Sequence, residues 1–514
     1  MDNQTYYRLP KKPKKKSFLP LAGLLIVGIV ATLVFVFTRN AEVKISTYPD
    51  DAEIKINQET KAQGLFVNDD LKAGTYDLVV RRSGFRPVME EIQLERGKKM
   101  EKEIQLEPIN HPFELKTNPR EAQYKITTAN GEVKEGQTPL KEEVPAGNLH
   151  IELTAANRSI LERDYFHDSE DTLYWHLDPE GQIVHLLRSI ETGPSPKGAV
   201  FNSSGDEIWT THLMSKREGV GIYNLEGDKI GGLELDGHGG VEIVFSSDGS
   251  RAYISQMETD TVFEIDTQAR TILRRFKTHS TWCKVLELSP DEKILYVSNW
   301  SGNNISEIDL ESGELIRLLP TIKTPRGLYP TKDGQNLYIA GFGRGELMRI
   351  SLEKGNGEIL YKSDGAMRHI VADEDKGRLF VSDMANNIIY LYNINSGEVS
   401  EFVTTETNPN TIALSPDKKI LYVSCRGENA SDSYYVPGPE WGSVFLFDAE
   451  TGEILDVIIG GNQPTGLDIS PDGSRLVFSN FLDANMELYE IPDYETLKNG
   501  GGGRAGNYSE DLKK

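Results

Sequence analysis

The string KILYVSN at 293–299 returns as KILYVSC at 419–425, placing Tyr296 and Tyr422 126 residues apart, three times 42. A chain that repeats a short strand at that interval repeats a structural unit, and the unit decides the fold. Aligning the strand gives seven copies, EIWTTH, RAYISQ, ILYVSN, NLYIAG, RLFVSD, ILYVSC and RLVFSN, centred on Trp209, Tyr253, Tyr296, Tyr338, Phe380, Tyr422 and Val477. The steps are 44, 43, 42, 42, 42 and 55 residues. Before the strand stands a turn such as SPDE (289–292) or SPDG (470–473), and after it another alternating strand such as NISEIDLESGELI (304–316). Each unit therefore reads as four short strands joined by tight turns. Four strands cannot bury both faces alone, whereas seven such sheets packed face to face around an axis can. The expected fold is all-β, with a seven-bladed β-propeller as its largest part.

The repeats carry no WD dipeptide. They resemble the YVTN-type repeat of prokaryotic surface proteins through Ser289-Pro290-Asp291, Tyr296-Val297-Ser298-Asn299 and Ile308-Asp309, over about 193–495. The stretch TLYWHLDPEGQIVHLLRSI (172–190) reads as a hairpin of the ring whose strand near 183–190 completes the last blade, so the propeller is expected over 172–497. The tail 498–514, NGGGGRAGNYSEDLKK from residue 499, is too polar and Gly-rich to pack and is expected to be disordered.

The N-terminal part has a different grammar. Residues 1–17 carry Arg8, Lys11, Lys12, Lys14, Lys15 and Lys16 against Asp2, a net +5, so the remainder holds −28 of a chain whose total is −23. Residues 18–38 are uncharged and mostly apolar, long enough for one transmembrane helix. The lysines before it predict a cytoplasmic tail over 1–17 and the bulk of the chain outside the cytoplasm, periplasmic or extracellular. Beyond it STYPDDAEIKIN (46–57) and LKAGTYDLVVRRSGFRP (71–87) alternate apolar and polar residues, and the layout returns as KTNPREAQYKIT (116–127), GQTPL (136–140) and VPAGNLHIELTA (144–155). Both copies resemble PEGA domains, small β-sandwich modules of bacterial and archaeal surface proteins, and are expected over 41–108 and 112–165. The resemblance implies an extracytoplasmic spacer or a wall-contacting module and names no ligand.

Charge excludes one class of partner, because a surface this acidic lacks the Lys and Arg excess that nucleic acid requires. Cys283 and Cys425, in the third and sixth units, form no metal-type CxxC and fall too far apart across a ring to pair. Candidate ligand residues belong where the link into each unit meets the end of its second strand. The first of these columns reads Lys197, Val241, Lys284, Arg326, Arg368, Asn410 and Thr465, a cationic ring in an acidic protein. The second supplies Asn299, followed by Trp300, Phe342 and Arg426 near the same face. The long sixth step comes from an insertion, ENASDSYYVPGPEWG (428–442), which carries Tyr434, Tyr435 and Trp441.

These residues suit a binding protein that recognises a cell-envelope polysaccharide or another surface protein and needs no cofactor. The alternative is a lactonase-like hydrolase or lyase acting on a small molecule. Propeller enzymes of that kind hold a divalent metal such as Ca or Mg at the axis, for which Glu242, His369 and Asp383 are the candidate ligands.

Overall fold

The structure, a computed structural model, describes residues 40–215, 217–500 and 503–514. The expected membrane helix at 18–38 lies outside them. Among the described residues no helix is long and apolar enough to cross a membrane. The chain divides into two compact units, one reaching to residue 156 and resuming over 160–177, the other comprising 157–159 and 178–514.

The first unit contains the same module twice. Strand Ala41–Tyr48 alternates buried and exposed residues along its length, as a strand with one wet face must. It pairs antiparallel with Leu65–Leu71 and parallel with Lys99–Gln105. A four-stranded sheet, in the order 59–63, 53–56, 74–81 and 88–94, packs on it through Val43, Ile45, Ile54, Ile56, Leu78 and Val80. The second module repeats this with Asn110–Asn118 between Leu140–Pro145 and Asp171–His176, over a core of Phe113, Leu115, Ile126, Leu149 and Ile151. Even the bend after the first strand is the same. Thr47 Oγ1 donates to the Pro49 carbonyl at 2.7 Å and Thr117 Oγ1 to that of Pro119 at 2.7 Å.

This topology corrects one expectation. Thr172–His176 does not open the ring; it is the parallel third strand of the second module, in register from Phe113↔Asp171 to Asn118↔His176. The alternation of TLYWH suits either sheet. The choice follows from the first module's plan, in which the last strand returns beside the first.

Among the described residues the second unit holds seven four-stranded antiparallel sheets. The innermost strands of successive sheets adjoin, and Pro464–Ile469 adjoins Pro196–Phe201, which closes the ring. Closure uses the strand expected for it: His185–Glu191 pairs with Asn485–Glu490 and completes the sheet whose other strands come from the C-terminal repeat. The repeated string is the second strand of each sheet. It is flanked by strands on both sides and covered on both faces, so Ile294–Asn299 and Ile420–Cys425 are buried almost throughout and read as near-continuous apolar runs.

The SPD turn before it is a hydrogen-bonded relay. Ser289 Oγ donates to Asp291 Oδ1 at 2.7 Å and accepts the Ile294 N–H at 3.0 Å; Ser470 repeats this with Asp472 at 2.6 Å and Arg475 N–H at 2.9 Å. The C-terminal residues depart from expectation. Helix Tyr494–Gly500 packs Leu497 into the core, and beyond it Arg504, Asp511 and Leu512 are buried. A polar segment orders here because its charges find partners: Arg504 bonds Asp511 at 2.9 Å and Asp178 at 2.7 Å, and Arg158 grips Asp511 at 2.8 and 2.9 Å.

Candidate functional site

The ring's innermost strands all break register at the same place. Pairing with the second strand shifts between Pro196 and Ala199, Gly240 and Ile243, Cys283 and Leu286, Pro325 and Leu328, and likewise in the remaining three sheets. A bulge of this kind leaves a backbone N–H unpaired and re-aims the side chains beside it. In six of the seven sheets a hydroxyl residue near the end of the second strand satisfies that N–H; the fourth has Ala340 there. Thr211 accepts from Gly198, Ser255 from Glu242, Ser298 from Val285, Ser382 from His369, Ser424 from Thr411 and Ser479 from Gly466, at 2.8–3.1 Å. Three of these hydroxyls also donate to the next sheet, Thr211 to the Val241 carbonyl, Ser255 to Lys284 and Ser382 to Asn410. The serine of the YVSN string thus fixes the strand position that carries the basic column. The repeat displays this serine, and its purpose emerges only from the bulge.

Four cations stand in that column. Arg326 is 6% exposed, Arg368 5% and Lys197 8%, with Lys284 partly open; Arg426, at 3%, joins them from the sixth sheet. None of the five forms an ion pair with a carboxylate among the described residues. Aromatic rings hold four of them instead: Lys284 lies 4.1 Å from the Trp300 ring and Arg326 5.4 Å from it, Lys197 4.8 Å from Phe481, and Arg426 4.3 Å from Tyr434, while Arg368 Nη1 meets the Met384 sulfur at 3.7 Å. Arg426 also donates to Gln463 Oε1, and Lys197 Nζ meets Tyr434 Oη at 3.4 Å. Arg368 Nη2 and Arg426 Nε are buried without any hydrogen-bond acceptor. Burial, and after it the neighbouring cations, pushes Lys197 and Arg368 well below their ordinary pKa values and Lys284 down to about 6.

A small cavity of about 20 Å³ opens among Lys197, Glu242, Arg326, Thr411 and Thr465. Glu242, one residue further along its strand, has its carboxyl pushed up to about 7 by burial against the pull of Arg326, Lys197 and Arg368. Further down the same strands lie Glu287, pushed up to about 8 by burial and then by Glu242, and Asp468, up to about 6 by burial. Sequence reasoning passed over both acids. Both occupy one column of the repeat, opposite Tyr296 and Val477, but the other five units carry Val200, Val244, Tyr329, Val371 and Ala413 there, so the column reads as apolar.

The structure divides the expected site residues. It brings Lys197, Lys284, Arg326, Arg368, Arg426, Trp300 and Tyr434 together, with the Phe342 ring 4.8 Å from that of Trp300 and tilted 39° to it. Tyr435 stays outside, 58% exposed, with its ring 5.1 Å from that of Tyr434. Asn299 is structural: buried, its Nδ2 donates to Asn304 and Ser306, both at 2.8 Å, across the sheet. Trp441 turns away to the C-terminal residues, where its backbone N–H donates to the Leu512 carbonyl at 2.8 Å and Lys514 covers its ring at 4.5 Å.

The three metal candidates do not form a donor set. Both Asp383 oxygens are used locally, by Ser363, the N–H groups of Ala366, Ala385 and Asn386, and the Asn386 amide. His369 is pushed down to about 4 by burial and by Arg326 and Arg368. Those same arginines face Glu242, so the local field opposes a divalent cation. No group of three or more ligating side chains suited to a metal occurs among the described residues. The two cysteines are free and buried, each thiol pushed up to about 12 by burial.

Comparison with known proteins agrees with the two units. The PEGA domain family matches residues 40–110, and the family of lactonases with a 7-bladed beta-propeller matches 328–499. Antigen Lp49 of Leptospira interrogans is 33% identical over 329 residues, covering 61% of this chain and 71% of the antigen. The chain belongs to the antigen Lp49 family. Protein YncE of Salmonella typhimurium is 23% identical to this Lp49 relative over 176 residues, 33% of this chain and 48% of YncE. Hydrazine synthase of Kuenenia stuttgartiensis superposes with a TM-score of 0.50 at 18% identity, over 58% of this chain and 96% of that one, a likeness of fold alone.

Proposed function

We propose that this Lp49-family protein is a seven-bladed, YVTN-type propeller that binds an acidic polymer of the cell envelope through the cationic end of its ring axis. One observation carries the reading: four buried basic side chains and a fifth, Lys284, partly open, gather at the axis and none of them forms an ion pair with a carboxylate among the described residues. Burying an unpaired charge costs several kcal/mol, and a chain meets that cost where a ligand supplies the missing charge. The sequence puts this cationic mouth on an acidic protein, so it draws anions while the rest of the surface repels them. In this reading residues 18–38 anchor the chain with its N-terminus cytoplasmic, and the two sandwich modules, both PEGA-like, act as an extracytoplasmic spacer. A metal-dependent hydrolase is not part of it, because the donors near the axis do not suit a metal.

Two measurements test the proposal. A reporter fused after Thr38 is expected to be active only outside the cytoplasm. Replacing Lys284, Arg326 and Arg368 together by Ser is expected to weaken binding of a purified acidic envelope polysaccharide about a hundredfold or more, from the loss of charged hydrogen bonds of ~1.5–3 kcal/mol each. Unchanged binding by the triple variant would remove the axis as the site.

A further inference from the structure

The insertion that lengthens the sixth unit places Tyr434 over the cation cluster. Its hydroxyl meets Lys197 Nζ at 3.4 Å, and its ring lies 4.3 Å from the Arg426 guanidinium and 5.5 Å from Phe481. One side chain thus touches two of the five cations. It is held by its backbone, because Gln463 Nε2 donates to the Tyr434 carbonyl at 2.9 Å and to Asn429 Oδ1 at 3.2 Å.

The far end of the insertion is tied down separately. Lys514 Nζ donates to the Gly438 carbonyl at 2.7 Å, and the Trp441 backbone N–H to that of Leu512. Between these anchors the segment is open to solvent, with Tyr435 58% and Val436 48% exposed. The cavity lined by Lys197 and Arg326 measures only about 20 Å³, room for little more than one small polar group. A chain laid across Lys197 and Arg426 would meet Tyr434, which lies against both, whereas the acidic group of an end unit needs only the small cavity beside Arg326 and Lys197.

Resting on the anion-binding reading, we propose that Tyr434 sets the specificity of the site by capping the cations so that only the acidic end unit of a chain enters. The ring supplies this exclusion by bulk. The hydroxyl, an acceptor for Lys197, holds the place that the ligand's anionic oxygen takes. Binding therefore exchanges a phenol oxygen for a carboxylate or phosphate oxygen at the same cation.

The test uses the full chain and three probes of stated chemistry: glucuronic acid, inorganic phosphate, and a polyuronate of defined length whose acidic units are almost all internal. Calorimetry is expected to show that the polyuronate binds with one site per chain end, and that its affinity per acidic unit falls in proportion to its length. Tyr434→Ala is expected to admit internal units and raise the polymer-to-monomer affinity ratio at least tenfold. Tyr434→Phe keeps the ring and is expected to keep the ratio near the native one. If the native protein binds internal units as well as it binds the monomer, or if the Ala variant, folded by circular dichroism, leaves the ratio within twofold, the inference fails while the anion site stands. If none of the three probes binds either the native protein or the variants, the anion-binding reading fails and takes the inference with it.

Discussion

Arg504 and Arg326 are buried to nearly the same degree, 2% and 6% exposed, yet they sit in opposite electrostatic settings. Burial opposes the charge of Arg504, but Asp178 and Asp511 outweigh it and raise its pKa. Arg378 is held alike, by Asp373 at 2.8 Å and Glu450 at 3.1 Å. Burial lowers the pKa of Arg326, and the carboxyl that faces it, Glu242, is itself pushed up to about 7. The rim of the ring buries arginine with counter-ions, and the axis buries it without. The first arrangement ties segments together; the second stores a demand for negative charge that the one facing carboxyl, Glu242, meets only in part.

Stability gives the sharpest contrast. Arg504→Met removes the 2.7 Å partner of Asp178 and one of the two arginines that hold Asp511. It is expected to cost ~3 kcal/mol, the usual penalty for breaking a buried pair by removing one side. Arg326→Met removes a charge that has no counter-ion, and is expected to leave stability unchanged or slightly raised. Denaturant unfolding of both variants measures the difference. Equal losses would mean that the axial cations are structural after all.

Affinity should reverse the order. Arg326→Met or Lys197→Met is expected to weaken anion binding about ten- to a hundredfold, one charged hydrogen bond being worth ~1.5–3 kcal/mol. Arg504→Met should leave it within twofold, as read by titration with inorganic phosphate. A parallel fall in the rim variant would show that the C-terminal residues, through Leu512 and Lys514, also shape the site.

The contrast also explains what could be read from the sequence. Periodicity is written into every repeat, so the repeated strands, the closing strand near 183–190 and the basic column of Lys197, Lys284, Arg326 and Arg368 were visible in it. Local alternation cannot say which sheet a strand joins, and Thr172–His176 was therefore assigned to the wrong unit. Composition made the last residues look unpackable, because Arg504 and Asp511 order only through Arg158 and Asp178, more than 300 residues away. Asn299 and Asp383 share a column with polar residues in other repeats, which resembles a ligand surface. In the fold that column bonds to its own turns, as Gln256 does to the Gly237 carbonyl and Asn480 to Asn485.

The smallest effect expected is also the one most specific to unpaired charge. Lys284, held near a pKa of about 6 by burial and by Arg326 and Arg368, is largely neutral in the free protein above that pH. An incoming anion favours its charged form, so binding between pH 6 and 8 must take up a proton there, and affinity falls as pH rises. Glu242 acts in the same direction: neutral below about 7, it ionises above that pH and sets a negative charge beside the ligand. Each group can contribute up to about tenfold per pH unit, since one pKa unit corresponds to 1.36 kcal/mol. Titrating phosphate, with its own second ionisation subtracted, in two buffers of different ionisation enthalpy should show net proton uptake at pH 7.5. Glu242→Gln should flatten the portion of the decline near pH 7, and Lys284→Met the portion just above pH 6. Proton release, or an affinity independent of pH in the native protein, would mean that the axial charges are not coupled to the anion and would break the contrast with the paired arginines of the rim.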